Sequence, residues 1–456
     1  MSYGIWTIVP ILIVVLIALK TRRTLEPLLI GTLLVYIITD GWSFGTAWID
    51  SFFTVAADKQ HQWVFMVCAL FGSLISLLGA SHGTLGFSKW LNKICRGPKT
   101  TLLVTWIMGI IIFVDDYLNI MTLSTCMKKL TDKNKMPRET ISYIIDSTGA
   151  PVCALLPFST WAIFFADLFY GENGVPQLGF GSPIQTFYHV IPYVFYAIAA
   201  VVLVPLFCYN LLPKLGRMKA AYQRVAQTGQ VYSPESKVLN LEDEAEESGP
   251  EFDGNVWDFL LPIGVLIGWA IWSEELFQAV LLAIGTCFVL YIPRQKMSIV
   301  KFCDLTMHGF SNMIPTVAII FFAFFMQEAM EDIGIADYVI SLAEPYMSAS
   351  VFPMIVFLVV AALTFSTGSC WGVTAIVSPI MVPLAFSLDA NLLLTMGAIV
   401  SGAVLGSHAC FYSDATVLTS SCCKIQNMDH ALSQFPYAVM ATVISSVGYL
   451  ACGMLL

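Results

Sequence analysis

Long apolar blocks recur along the chain, separated by short polar breaks: Ile5–Leu19, Leu25–Thr39, Trp63–Ala80, Tyr188–Leu212, Trp257–Trp272, Phe277–Ile292, Ile314–Phe325, Phe352–Phe365, Leu392–Leu405 and Tyr437–Leu455. A hydrocarbon core takes about 20 helical residues, so each block spans it or nearly does, and the pattern predicts about ten transmembrane helices. The first block has no charged segment before it and no small-residue cleavage site after it, so it reads as a retained helix and not a signal peptide.

Four further segments interrupt apolar stretches with polar and helix-weakening residues. They are Val114–Thr125 (VDDYLNIMTLST), Asp146–Thr160 (DSTGAPVCALLPFST), Thr364–Thr374 (TFSTGSCWGVT) and Ser401–Thr419 (SGAVLGSHACFYSDATVLT). In the first, Asp115 and Asp116 close the apolar run Thr101–Val114. A charged side chain near a bilayer midplane costs at least a few kcal/mol, so acids there mark a transport pathway or proton relay.

Composition agrees with the block pattern. The 456 residues are 57% hydrophobic and 12% charged, with a mean hydropathy of +0.77, against roughly 25% charged in a soluble domain. The 12 cysteines lie mostly inside apolar runs and read as core thiols, and Cys422-Cys423 lacks the gap of zinc or redox motifs. Much of the net charge of -9 comes from Leu241–Asp253. With the basic stretch Lys214–Arg224 it reads as a solvated, flexible linker, so residues 213–254 are expected to form a cytoplasmic connection.

Basic residues cluster at Lys20–Arg23, Lys89–Lys99, Lys128–Arg138, Lys214–Lys237, Arg294–Lys301 and Lys424, and short cytoplasmic loops are enriched in such residues. An extracytoplasmic N-terminus puts the first clusters inside. A continuous span over Thr101–Met127 would then expose Lys128–Arg138 on the wrong side. A hairpin near 101–127 that enters from the cytoplasm, turns at Asp115-Asp116 and returns removes the conflict. Its arms are too short to cross, and such backbone is tolerated where protein or a wet cavity surrounds it. With a matching hairpin near 354–380, every Lys and Arg except Lys59 falls inside, and both termini are extracytoplasmic.

Shifting the chain by about 253 positions lays Asp115-Asp116 on Gly368-Ser369 and Ser147–Ala150 on Val400–Ala403. The two copies start on opposite sides of the membrane, as in inverted-repeat secondary transporters, whose sites lie between broken helices near the midplane. The expected fold is therefore an all-α polytopic membrane protein. It has about ten transmembrane helices plus two re-entrant hairpins in two inverted-topology repeats, residues 1–212 and 255–456.

The broken segments supply the chemistry. Two adjacent carboxylates in a low-dielectric site titrate as a coupled unit, so Asp115 and Asp116 are the first candidates for sodium and proton ligands. Asn119, Asp146, His408 and Asp414 extend the candidate ion and proton set, with Asp115, Asp116 and Asp414 as the sodium ligands. Ser147, Thr148, Ser159, Ser366, Thr367, Gly368, Ser369, Ser413 and Thr416 supply hydroxyls and freed backbone for a substrate cavity. Helix packing is the alternative for Asn119 and a capping role for Asp146. Glu328, Glu331 and Asp332 read as interface residues at a helix end, and Trp161 and Trp371 as packing.

The run Phe113–Phe164 closely resembles the NhaC-type sodium/proton antiporter family, which includes sodium-coupled malate/lactate exchangers. Gly406–Ser421, GSHACFYSDATVLTSS, is similar to that family's GDHxSPxSDTT-type region. Ser407 stands where the family has an acid and Cys410-Phe411 where it has Ser-Pro, changes that alter an ion site or let Phe411 and Tyr412 shape a pocket for a larger organic substrate. The resemblance implies the ion-transporter type of fold with two re-entrant hairpins, cation-coupled transport, and a homodimer as the candidate assembly.

The expected function is secondary active transport in the cell (inner) membrane, foremost sodium/proton antiport by alternating access. The alternative is sodium- or proton-coupled transport or exchange of a small carboxylate or amino acid. No Lys or Arg lies in a broken segment, so a carboxylate substrate would need helix N-termini, hydroxyls or bound sodium as its counter-charge. The partners are the lipid bilayer, sodium and protons, with a small organic anion or amino acid under the alternative, and no cofactor and no nucleic acid are expected. The GxGD of intramembrane aspartyl proteases and the GxxxxGK[ST] of ATP-driven pumps are both absent.

Overall fold

The structure is a computed structural model. It describes residues 3–21, 25–83, 86–87, 95, 97–113, 115–157, 159–170, 172, 175–240, 255–273, 275–335, 338, 341 and 348–455. All regular elements among them are helical. The first half holds α1 (Val9–Thr21), α2 (Leu25–Asp40), α3 (Phe44–Ala57), α4 (Lys59–Ala80), α5 (Pro98–Ile111), α6 (Asp116–Lys133), α7 (Arg138–Asp146), α8 (Ala150–Cys153), α9 (Thr160–Tyr170), α10 (Pro183–Val190) and α11 (Phe195–Cys208). After α12 (Gly216–Thr228) come α13 (Trp257–Ser273), α14 (Leu276–Tyr291), α15 (Ile299–Asn312), α16 (Ile314–Asp332), α17 (Phe352–Thr367), α18 (Cys370–Ser387), α19 (Leu392–Ala409), α20 (Asp414–Cys422) and α21 (Asn427–Leu455).

Local chemistry explains where these helices start and stop. Pro98, Pro315 and Pro353 stand in the first turns of α5, α16 and α17, where a missing N–H costs nothing. Asp115, Asn391 and Ser413 cap α6, α19 and α20 by accepting the amides of Leu118, Leu394 and Thr416. Gly368, at φ +77, ends α17 in the left-handed region open to glycine.

Polarity is arranged inside out. All nine residues of α7 are buried, as is nearly all of α19, although both carry polar side chains. Outer helices expose apolar ones instead, such as Leu281 and Val289 on α14 and Val443 and Val447 on α21. Hydrocarbon accepts such a surface and forces polar groups inward. Leu25–Ala57, His61–Ala80, Ile299–Asp332, Cys370–Ser387, Leu392–Cys422 and Asn427–Leu455 are each long and apolar enough to cross a bilayer. Pro183–Tyr193 and Phe195–Cys208, bent by 56°, make a seventh if they form one span. The protein is thus an all-helical, polytopic membrane protein.

α4 of the first half crosses α15 of the second where two glycines meet. A Cβ at Gly72 would lie 2.3 Å from the Gly309 carbonyl oxygen, and Ser73 Oγ donates to Thr306 O at 2.8 Å. Helix starts recur along the chain: α5 and α17, α6 and α18, and α9 and α20 each begin 254 positions apart.

Three details depart from the sequence reading. α3 and α15 carry no long apolar block, since each has one buried stripe, and they were not anticipated. The basic stretch after Pro213 is not a flexible linker: it folds as α12, because Arg224 supplies both guanidinium nitrogens, 2.9 Å each, to the buried Glu139 carboxylate. Leu241–Asp253 lies outside the described residues. The hairpin arms are also longer than expected. At 14 residues α5 spans about 21 Å. At 18 residues each, α6 and α18 span about 27 Å, close to the hydrocarbon thickness.

Candidate functional site

α5 and α6 form an antiparallel hairpin closed at both ends. Near its open end Asn134 Nδ2 donates to Thr101 Oγ1 at 3.2 Å. At the tip Asn119 Nδ2 donates to the carbonyls of Gly109 (2.7 Å) and Ile112 (2.8 Å), at the C-terminal end of α5. The Asn119 amide nitrogen is therefore committed to holding the tip, while its Oδ1 is buried without a partner. Asp115 and Asp116 stand at the start of α6, each 6% exposed, where the positive end of the helix dipole favours a carboxylate.

The second broken segment faces this tip. Ser159 Oγ donates to Cys153 O at 2.6 Å and accepts the Ala162 amide at 3.0 Å, which caps α9. Next to it Thr160 Oγ1 donates to Asp115 Oδ2 at 3.2 Å, and Cys153 Sγ donates to Phe113 O at 3.1 Å. The second half repeats the device. Ser413 Oγ donates to Ser407 O at 2.5 Å and accepts the Thr416 amide at 3.3 Å, capping α20. Cys410 Sγ donates to Phe365 O at 3.1 Å, and the Tyr412 hydroxyl donates to Ser366 O. Asp414, the first residue of α20, accepts the Tyr117 hydroxyl from α6.

The two halves thus bring the starts of α6 and α20 together with the buried acids Asp115 and Asp116 and the half-buried Asp414. Asp115 and Asp116 lie in electrostatic reach of each other and of Asp414. Among the described residues no three His, Cys, Asp or Glu side chains converge closely enough to hold a metal ion. A cation here would need hydroxyl and carbonyl oxygens besides its carboxylates, a ligand set suited to weakly bound sodium. Trp161, the residue after Thr160, packs on Trp371 with centroids 5.0 Å apart, and Phe164 packs on the same Trp371 ring.

A second polar cluster surrounds Asp146, the last residue of α7. Its Oδ2 receives Gln434 Nε2 at 2.7 Å and lies 3.0 Å from His430 Nε2. Gln434 Nε2 also donates to His408 O. The His408 ring is held by Ser147 Oγ at Nε2 (3.0 Å) and the Tyr196 hydroxyl at Nδ1 (2.9 Å).

Of the sequence candidates, Asp115, Asp116 and Asp414 come together, and Asp146, Ser147 and His408 form the separate cluster. Thr148 Oγ1 bonds back to Ile144 O and Ile145 O and packs on Gly109. Thr367 Oγ1 likewise closes its own helix end, Ser413 and Thr416 bond to each other, and Ser369 is buried beside Gly368, whose Cβ position meets the Tyr412 ring at 3.0 Å. Phe411 packs on Phe365 and Phe435, centroids 5.4 and 5.5 Å away, in the interior. Tyr117, Thr160, Tyr196, His430 and Gln434 were not anticipated. The i, i+4 spacing of His430 and Gln434 puts both on one helix face, a signal that the apolar run after them hides.

Two broken-helix segments that meet around acids inside a polytopic helical protein are the arrangement of a secondary transporter. The chain belongs to the Na+/H+ antiporter family, whose pattern matches residues 153–454. It is 27% identical, over an alignment 489 positions long, to an uncharacterized protein of Haemophilus influenzae, covering 99% of this chain and 91% of that one. It is 26% identical to the malate-2H(+)/Na(+)-lactate antiporter of Bacillus subtilis over 32% of this chain and 31% of that protein. To the arginine/ornithine antiporter ArcD of Halobacterium salinarum it is 25% identical over 33% of this chain and 32% of that protein.

Proposed function

We propose that the chain exchanges sodium for protons by alternating access, in an ion-transporter-type fold with two re-entrant hairpins and two inverted repeats, in the cell membrane with both termini extracytoplasmic. The observation that carries this reading is the meeting of the buried Asp115 and Asp116 with the half-buried Asp414 at the starts of α6 and α20, joined across the halves by Tyr117. Sodium would bind there through carboxylate oxygens with Thr160 Oγ1 and carbonyls freed at the breaks. A proton on the same carboxylates would exclude it, and that competition makes antiport. The matching starts of α5 and α17, and of α6 and α18, support the repeat. The linkage of the basic clusters supports the cytoplasmic end: Arg138 bonds Asp132 and Asn240, and Asn240 Nδ2 donates to Lys424 O.

The test is the internal pH of proteoliposomes on adding sodium, for wild type and Asp116→Asn, with an ionophore to clamp voltage. Sodium-dependent proton movement that is lost in the variant supports exchange at the hairpin tip. Its absence from active wild-type vesicles rejects simple exchange. The second reading, coupled exchange of a small carboxylate or amino acid, is favoured by the two named relatives. It predicts counterflow of a hydroxy acid or a basic amino acid in the same vesicles.

A further inference from the structure

Asp146 sits where an ionised carboxylate is least welcome. It ends α7, at the negative pole of the helix dipole, and is 1% exposed. Among the described residues no lysine or arginine pairs with it; its partners are His430 and Gln434 of α21. A buried carboxylate without a cation is costly, so the charge is balanced only when one proton sits on the pair, at Asp146 Oδ or as the second ring N–H of His430.

The pair is not closed. His430 Nδ1 and Gln434 Oε1 are both buried without a partner, although buried polar groups are nearly always hydrogen-bonded. That leaves a ring nitrogen able to take a proton and an amide oxygen able to accept a hydrogen bond. The neighbouring Asp429 accepts Ser233 Oγ at 2.5 Å from the segment after α12, one residue along α21 from the pair. On its other side the network runs through Gln434 to His408 and Tyr196.

Other ionisable groups around α7 are accounted for. His408 of α19, Tyr196 of α11 and Asp414 of α20 lie in electrostatic reach of Asp146. From α6, Asp116 approaches across Gly149. α5 presents Gly109 to Thr148. Tyr143 is on α7 itself, and Arg138 and Glu139 at its start are engaged with Asp132 and with Arg224 of α12. None of these supplies a bond to the Asp146 carboxylate.

We propose that Asp146 and His430 form a proton-binding site separate from the acids at the hairpin tip, so that a proton is held without displacing the cation from Asp115, Asp116 and Asp414. The transport role of this proton rests on the antiport reading, whereas its binding does not. Only an O–H or N–H bond forms or breaks when it enters or leaves.

The experiment is an infrared pH titration of the purified full-length protein in detergent, with and without saturating sodium, following the protonated carboxyl band. The expected signal is a component of the band that saturating sodium leaves in place, and it disappears in Asp146→Asn. In His430→Gln, which keeps an N–H donor but does not titrate, the proton affinity of the band shifts at least tenfold. A band abolished entirely by sodium, a sodium-resistant component that survives Asp146→Asn, or one unshifted in His430→Gln overturns the proposal. If Asp146→Asn fails to fold, His430→Gln decides alone. Failure of the antiport reading registers separately, as wild type releasing no protons to an indicator dye when sodium is added.

Discussion

Tyr117 donates its hydroxyl to the Asp414 carboxylate, a bond between residues 297 positions apart that joins the first turn of α6 to the first turn of α20. It is a direct polar link between the broken segments of the two halves, so any movement of one half against the other must stretch or rebuild it. Hydrogen bonds to charged groups are worth about 1.5–3 kcal/mol. Tyr117→Phe is expected to slow sodium-driven proton movement by about tenfold or more, since 1.4 kcal/mol is a factor of ten. Proteoliposome flux measures it, and unchanged flux would show that the bond is not part of the cycle.

The crossing of α4 and α15 tolerates no side chain at Gly72, whose Cβ would sit 2.3 Å from backbone oxygen at Gly309. Overpacking costs about 1–3 kcal/mol, so Gly72→Ala should lower the melting temperature in detergent. Gly79, on the same helix, has nothing within 4 Å of its Cβ position. Gly79→Ala should leave stability equal or raise it by about 0.5–1 kcal/mol, and the contrast between the two separates crowding from loss of glycine flexibility.

Glu139 is 4% exposed on its side chain and depends on Arg224 for its charge balance. Removing one partner of a buried pair costs about 3–5 kcal/mol, because the other charge is left uncompensated. Arg224→Gln should therefore destabilise strongly. The double variant Glu139→Gln/Arg224→Gln should recover much of the loss, and thermal unfolding of the four proteins in a double-mutant cycle reads the coupling.

Lys214, beyond the last turn of α11, places Nζ 3.0 Å from Phe207 O and 3.1 Å from the Phe207 ring centroid. Both contacts favour the ammonium, but burial outweighs them and pushes its pKa down to about 8. The unfolded value is about 10.4. A depressed folded-state pKa means that the stabilising contribution is complete above the unfolded value and is lost as pH falls through about 8. Hydrogen exchange in α12 should therefore quicken as pH falls from about 10 to about 8 and level off below that, after correction for intrinsic exchange. Lys214→Met should remove the dependence.

Much of the architecture was readable from residue order. The apolar blocks recur as α1, α2, α4, α13, α14, α16, α17, α19 and α21, and the break at Asp115-Asp116 falls where an N-cap aspartate starts α6. α3 and α15 escaped because half-buried helices have no long apolar run, and α12 escaped because its docking depends on Glu139, 85 positions away. At the site, Asp115, Asp116 and Asp414 stood out as acids in apolar surroundings. Tyr117, Tyr196 and His430 did not, since an aromatic or histidine among hydrophobic residues reads as packing until its partner is known.

Membrane insertion, helix ends and the positions of buried acids follow from local properties, namely transfer energy, proline and glycine geometry and capping, which each stretch of chain carries wherever it packs. The pairing of those acids does not. Asp146 meets His430 across 284 positions and Asp115 meets Thr160 across 45. What neutralises a buried charge depends on which helix faces present themselves after both halves have packed, and no local preference encodes that.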